Sequence, residues 1–95
     1  MADAPNLDTL IDIVRKGDLD KLDEALAAGA PVNEATPEGN TALMYACAKG
    51  KESVIQRLIA AGAQPRHENK WGMTPFDWSK WAPDEGAVRT LLANA

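Results

Sequence analysis

Ninety-five residues, 45% hydrophobic and 25% charged, make one folded domain and leave no room for a second. The net charge of −4 is uneven: residues 1–40 hold nine acids and three bases, residues 41–95 five acids and seven bases, a balance that argues against sequence-independent nucleic-acid binding. No positive start leads into an apolar run and no 18 apolar residues stand together, so a cytoplasmic protein without membrane contact is expected.

The predicted elements begin at Asp8, an N-cap type, followed by a helix carrying Leu10 and Val14 and ending at Gly17. A second helix carries Leu22, Ala25 and Leu26 and stops at Gly29, since glycine accepts the left-handed conformation of many helix C-termini. A polar segment with Pro and Gly, residues 30–41, reads as a projecting turn.

Thr41 opens the next helix, which bears Leu43, Tyr45 and Cys47 and ends at Gly50. Cys47, the one cysteine, precludes an intramolecular disulfide and reads as a buried, inert thiol. A fourth helix carries Ile55, Leu58 and Ile59 up to Gly62, and residues 63–74 form a second polar segment. Thr74 caps a helix with Pro75 at its first position, where the missing N–H is harmless. Phe76 and Trp78 follow. Pro83 stands where the earlier helices have glycine, so this turn must differ. The last helix carries Val88, Leu91 and Leu92.

These elements repeat at a shift of 33. Gly17 falls on Gly50, Gly29 on Gly62, Gly39 on Gly72 and Thr41 on Thr74; "EALAAGA" falls on "RLIAAGA". Core rows follow the same shift: Leu10, Leu43 and Phe76; Leu22, Ile55 and Val88; Ala25, Leu58 and Leu91; and Leu26, Ile59 and Leu92. Each unit is therefore a pair of short helices with one buried stripe.

A 33-residue unit of turn, helix, helix and glycine resembles the ankyrin repeat. "GNTALMYACAKGKESVIQRLIAAGA" matches it at nearly every structural position, and "GMTPFDWSKWAPDEGAVRTLL" keeps the Thr-Pro of its opening. The resemblance implies an all-α solenoid of helix-turn-helix units with projecting β-turn or hairpin fingers, one domain over 1–95 with repeats near 7–35, 36–68 and 69–95. The outer two would act as caps: Asp12 stands where the inner units carry Tyr45 and Trp78, and Lys80 where they carry Val14 and Cys47. Both "TALM" and "TPFD" lack the family's His, which implies weaker bonding between neighbouring turns.

Catalytic chemistry finds little support, and neither a catalytic residue nor a cofactor is expected. His67 is the sole histidine, so a metal site would need it to converge with Glu34, Glu38 or Glu68, and no metal is expected. "ATPEGNT" lacks the glycines and lysine of a phosphate-cradling loop.

What the resemblance implies instead is a non-enzymatic module that binds another protein through its concave face and turn tips. Trp78, on the row of Tyr45 and facing the preceding repeat, is expected to pack in the core. Trp71, at a turn tip near Met73, and Trp81, on a first helix in line with Ala48 and Arg15, either shield a thin last core or anchor a partner. In the second case both border one groove with a basic rim. The candidate contact residues are Arg15, Glu38, Asn40, Lys49, Lys70, Trp71, Met73 and Trp81. The chain is expected to be a monomer, with self-association through the Trp-rich third unit as the alternative.

Overall fold

In the computed structural model, which describes residues 5–95, the first helix α1 (Leu7–Lys16) starts at Asn6, whose side-chain oxygen accepts the Thr9 N–H at 2.9 Å. The expectation that Asp8 caps this helix is thus corrected. The helix begins two residues earlier than an Asp8 cap would allow, and it buries Leu7. Five more helices follow among the described residues: α2 (Leu19–Ala27), α3 (Ala42–Lys49), α4 (Glu52–Ala60), α5 (Pro75–Trp78) and α6 (Glu85–Ala93), with a single 3-10 turn, Ser79–Trp81, after α5.

The helices stand in two rows. In one, α3 packs between α1 and α5; in the other, α4 packs between α2 and α6. This position explains the composition of α3, in which Ala42, Leu43, Met44, Ala46 and Cys47 are all buried, because neighbours cover it on two sides. The expected row Leu22, Ile55 and Val88 is fully buried and runs through all three units. Each such side chain contributes about 1.5–3 kcal/mol relative to exposure.

The glycine stops repeat bond for bond. After α2, the Gly29 N–H reaches the Leu26 carbonyl and the Ala30 N–H reaches Ala25; after α4, Gly62 reaches Ile59 and Ala63 reaches Leu58. This paired closure satisfies the last carbonyls of each helix, and it needs the positive φ that Gly62 shows (99°).

The fingers are turns, with no strand among the described residues. In the first, the Thr36 N–H donates to the Asn40 carbonyl and Gly39 to Thr36; in the second, Asn69 donates to Met73 and Gly72 to Asn69, the same bonds 33 residues on.

Two expectations change at the end of the stack. Leu10 and Leu43 are 0% exposed, but Phe76 in the same row is 40% exposed, because among the described residues α5 has a first-row neighbour, α3, on one side alone. The Arg89 guanidinium lies 4.7 Å from its ring centroid instead. Trp81 sits on the 3-10 turn rather than on a regular first helix. From there Ala82 turns extended (ψ 147°) and leads into Pro83, as that proline requires.

Candidate functional site

Two units must sit in fixed relation before their fingers can present a surface, and polar side chains do the fixing. The Asn33 amide donates to the Gly62 carbonyl (2.9 Å) and its oxygen accepts from the Gln64 N–H (3.0 Å). Further out, the Lys70 N–H donates to the Glu38 carbonyl at 2.9 Å, the Asn69 amide to Asn40 Oδ1 at 3.0 Å, and His67 Nε2 to the Gly39 carbonyl at 3.1 Å. The finger-to-finger bonding that the missing family His left open is therefore supplied by His67 and Asn69 from within the finger itself.

This network reassigns one candidate. Asn40 is 8% exposed and engaged with Asn69, so it belongs to the finger's interior and offers no side chain to a partner. The sequence reading misses Asn69, whose side-chain Oδ1 also accepts the Trp71 and Met73 N–H groups, both at 3.0 Å. Asparagine in a turn is the signal that could have found it. One buried asparagine thereby fixes the backbone that carries Trp71.

The remaining candidates lie at the surface. Trp71 is 62% and Trp81 53% exposed, while Arg15, Glu38, Lys49 and Lys70 are exposed and Met73 is half-buried. Each exposed indole has a cation over its face: Lys70 Nζ at 4.8 Å from the Trp71 ring, Lys80 Nζ at 4.6 Å from the Trp81 ring. Lys80, read from the sequence as a capping residue, is thus the cation nearest Trp81. Trp81 also stands edge-on to Trp78 (5.3 Å), which in turn meets Tyr45 (5.3 Å), so an aromatic line runs from the core to the surface.

In the 33-residue register Arg15, Ala48 and Trp81 correspond, with Ala48 half-buried, while Lys49 falls beside them in line with Lys16 and Ala82. A 440 Å³ hollow lies elsewhere, lined by Pro65, Arg66, Thr74, Phe76, Leu92 and Ala93, none of them a candidate contact residue.

Reactive groups are not gathered. Burial pushes the Cys47 thiol up to about 12, which leaves it protonated and unreactive near neutrality. Among the described residues no three His, Cys, Asp or Glu side chains converge as a metal would require, and His67 is bonded to Gly39. No helix of the described residues is long and apolar enough to cross a membrane.

A family model described as "Ankyrin repeats (3 copies)" matches residues 10–95. The "Putative ankyrin repeat protein YahD" of Escherichia coli (strain K12) is 32% identical over 78 residues, which is 82% of this chain and 39% of that protein. The mitochondrial disaggregase of Rattus norvegicus is 41% identical over 60 residues, 63% of this chain and 8% of that protein. The human "Transient receptor potential cation channel subfamily A member 1" is 31% identical over 61 residues, 64% of this chain and 6% of that protein. In all three the chain spans well under half of the relative's length.

Proposed function

The chain belongs to the ankyrin-repeat family, whose repeats generally serve as protein-protein interaction modules, and we propose that it acts as an adaptor or regulator holding a partner protein without catalysing a reaction. Its contact surface is the side formed by the fingers and first helices, with Trp71 and Trp81 as anchors and Lys49, Lys70 and Lys80 around them. One observation carries this reading: two tryptophans, 62% and 53% exposed, each beneath a lysine ammonium, the most exposed large apolar side chains on the scaffold, with Phe76 at the far end the third.

The physical reasoning concerns entropy and charge. A finger locked by Asn69 loses little freedom on binding, so two aromatic anchors can suffice. The lysines favour an apolar segment flanked by carboxylates, and they act mainly on orientation and association rate. Panning a library of random peptides against the full chain tests this. Enriched sequences should carry an apolar centre with Asp or Glu beside it and should bind the Trp71→Ala/Trp81→Ala variant far more weakly. Selected peptides that bind both forms equally would refute the reading.

A further inference from the structure

The two ends of the stack are complementary in a way that the concave face does not explain. Three side chains reach back from one unit to the unit before it. Trp78 packs on Tyr45, the Lys51 ammonium donates to the Gly17 carbonyl at 2.7 Å, and Arg57 pairs with Asp23 at 2.8 Å. In the first unit the register puts Asp12, Asp18 and Glu24 at these same positions. The backward-facing end therefore carries three carboxylates: Asp12 pairs with Lys16 at 3.0 Å, Asp18 caps α2 by accepting the Lys21 N–H at 3.2 Å, and Glu24 is exposed to solvent.

The forward-facing end is the opposite. In the third unit the place of Asp23 is taken by Arg89, which lies over the half-uncovered Phe76 ring, and Arg66 lines the same hollow. The Asp23–Arg57 pair between the first two units thus has a counterpart with reversed polarity, Glu24 at one end and Arg89 at the other. Phe76 supplies the apolar centre that the rows of Leu10 and Leu43 have inside the stack.

We propose that this chain stacks head to tail on a second copy of itself, the Asp12, Asp18 and Glu24 end of one copy seating on the Phe76, Arg66 and Arg89 end of the other. The second copy then covers the exposed side of Phe76, and Glu24 replaces Glu85 as a partner of Arg89, now 3.2 Å from Glu85 on its own helix. Such a contact uses two different surfaces, so it does not close on itself and each added copy exposes a fresh end. Because the pairing is between partly exposed charges, it weakens with salt.

Sedimentation velocity on the full chain, from micromolar to millimolar concentration at low and high salt, tests this. The weight-average mass should climb past that of a dimer without a plateau and fall back as salt is raised. Glu24→Arg and Arg89→Glu should each weaken association by about tenfold or more, while mixing the two variants, or combining both changes in one chain, should restore it to within about threefold, since either arrangement rebuilds the opposite-charge pair. Glu24 is solvent-exposed, so Glu24→Arg and its reversal by the mixed Arg89→Glu chain do not depend on a core change. A monomer at every concentration, a plateau at dimer, or association insensitive to both swaps would overturn the proposal. Association lost instead in the Trp71→Ala/Trp81→Ala variant would assign self-contact to the concave face and also overturn it.

Discussion

Gly39 lies against Asn69 so closely that a Cβ on the glycine would stand 2.9 Å from the Asn69 Cα. The first finger can approach the second only because residue 39 has no side chain, and its φ of +84° adds a conformational demand to the steric one. Gly39→Ala should therefore cost about 2–3 kcal/mol, the sum of strain and a displaced finger. Gly72→Ala, with a similar φ but only the flexible Glu68 carboxylate 3.6 Å away, should cost less. Urea titrations of the two variants make the comparison.

The helix stop at Gly62 gives a cleaner test of backbone conformation. Nothing stands within 4 Å of where its Cβ would be, so Gly62→Val probes the positive φ alone. Gly86 lies inside α6 without such a φ. Gly62→Val is expected to destabilise the fold by at least about 1 kcal/mol more than Gly86→Val, as β-branched residues tolerate the left-handed region poorly. Equal denaturation midpoints would contradict this.

Thr41 and Thr74 are equivalent in the repeat but not in chemistry. The Thr74 hydroxyl and N–H both meet the Asp77 carboxylate, at 3.2 and 2.9 Å, whereas Met44 occupies the place of Asp77 in the middle unit and leaves the buried Thr41 hydroxyl without a partner. Thr74→Val should lose about 1 kcal/mol of stability as its cap is removed. Thr41→Val discards only an unsatisfied hydroxyl and should be neutral or stabilising. Thermal melts of the pair decide it.

Cys47 should resist alkylation by iodoacetamide in the folded protein and react once denaturant unfolds it. Its folded pKa is raised by burial, from 9.0 to about 12, so the folded state keeps the proton while the unfolded chain releases it. The stability associated with this thiol is complete below about pH 9 and declines as pH rises from there toward about 12. Cys47→Ala should flatten that decline. An unchanged slope would assign it to other groups.

For the binding surface, Trp71→Ala should reduce affinity for a selected peptide by roughly 2 kcal/mol or more while leaving the melt nearly unchanged. Trp81→Ala should act likewise on affinity but lower the melt modestly, because Trp81 also leans on Trp78. Isothermal titration beside far-UV circular dichroism separates the two effects. Wild-type affinity in both variants would remove the tryptophans from the site.

The 33-residue register was legible because it rests on residues with few substitutes: Gly62 for its φ, Pro75 for the first helical position, Leu22, Ile55 and Val88 for the shared core. What the sequence hid depends on neighbours that periodicity does not reveal. Phe76 reads as core in its row, and its exposure follows from α5 packing on α3 from one side among the described residues. Asn40 looks like any polar finger residue until Asn69 is found bonded to it. Trp81 keeps its register number but sits on a 3-10 turn, and Pro83, visible in the sequence, was the sign that the local geometry would change.

The polar side-chain bridges between units, Asn33 to Gly62 and Gln64, Lys51 to Gly17, Arg57 to Asp23, His67 to Gly39 and Asn69 to Asn40, join residues 28 to 34 positions apart. Each bridge closes a loop of nearly the same length, so the entropic penalty of docking a unit is almost constant from one to the next. Assembly can therefore advance along a nascent chain as it leaves the ribosome, each helix pair docking on its predecessor without waiting for the distant terminus.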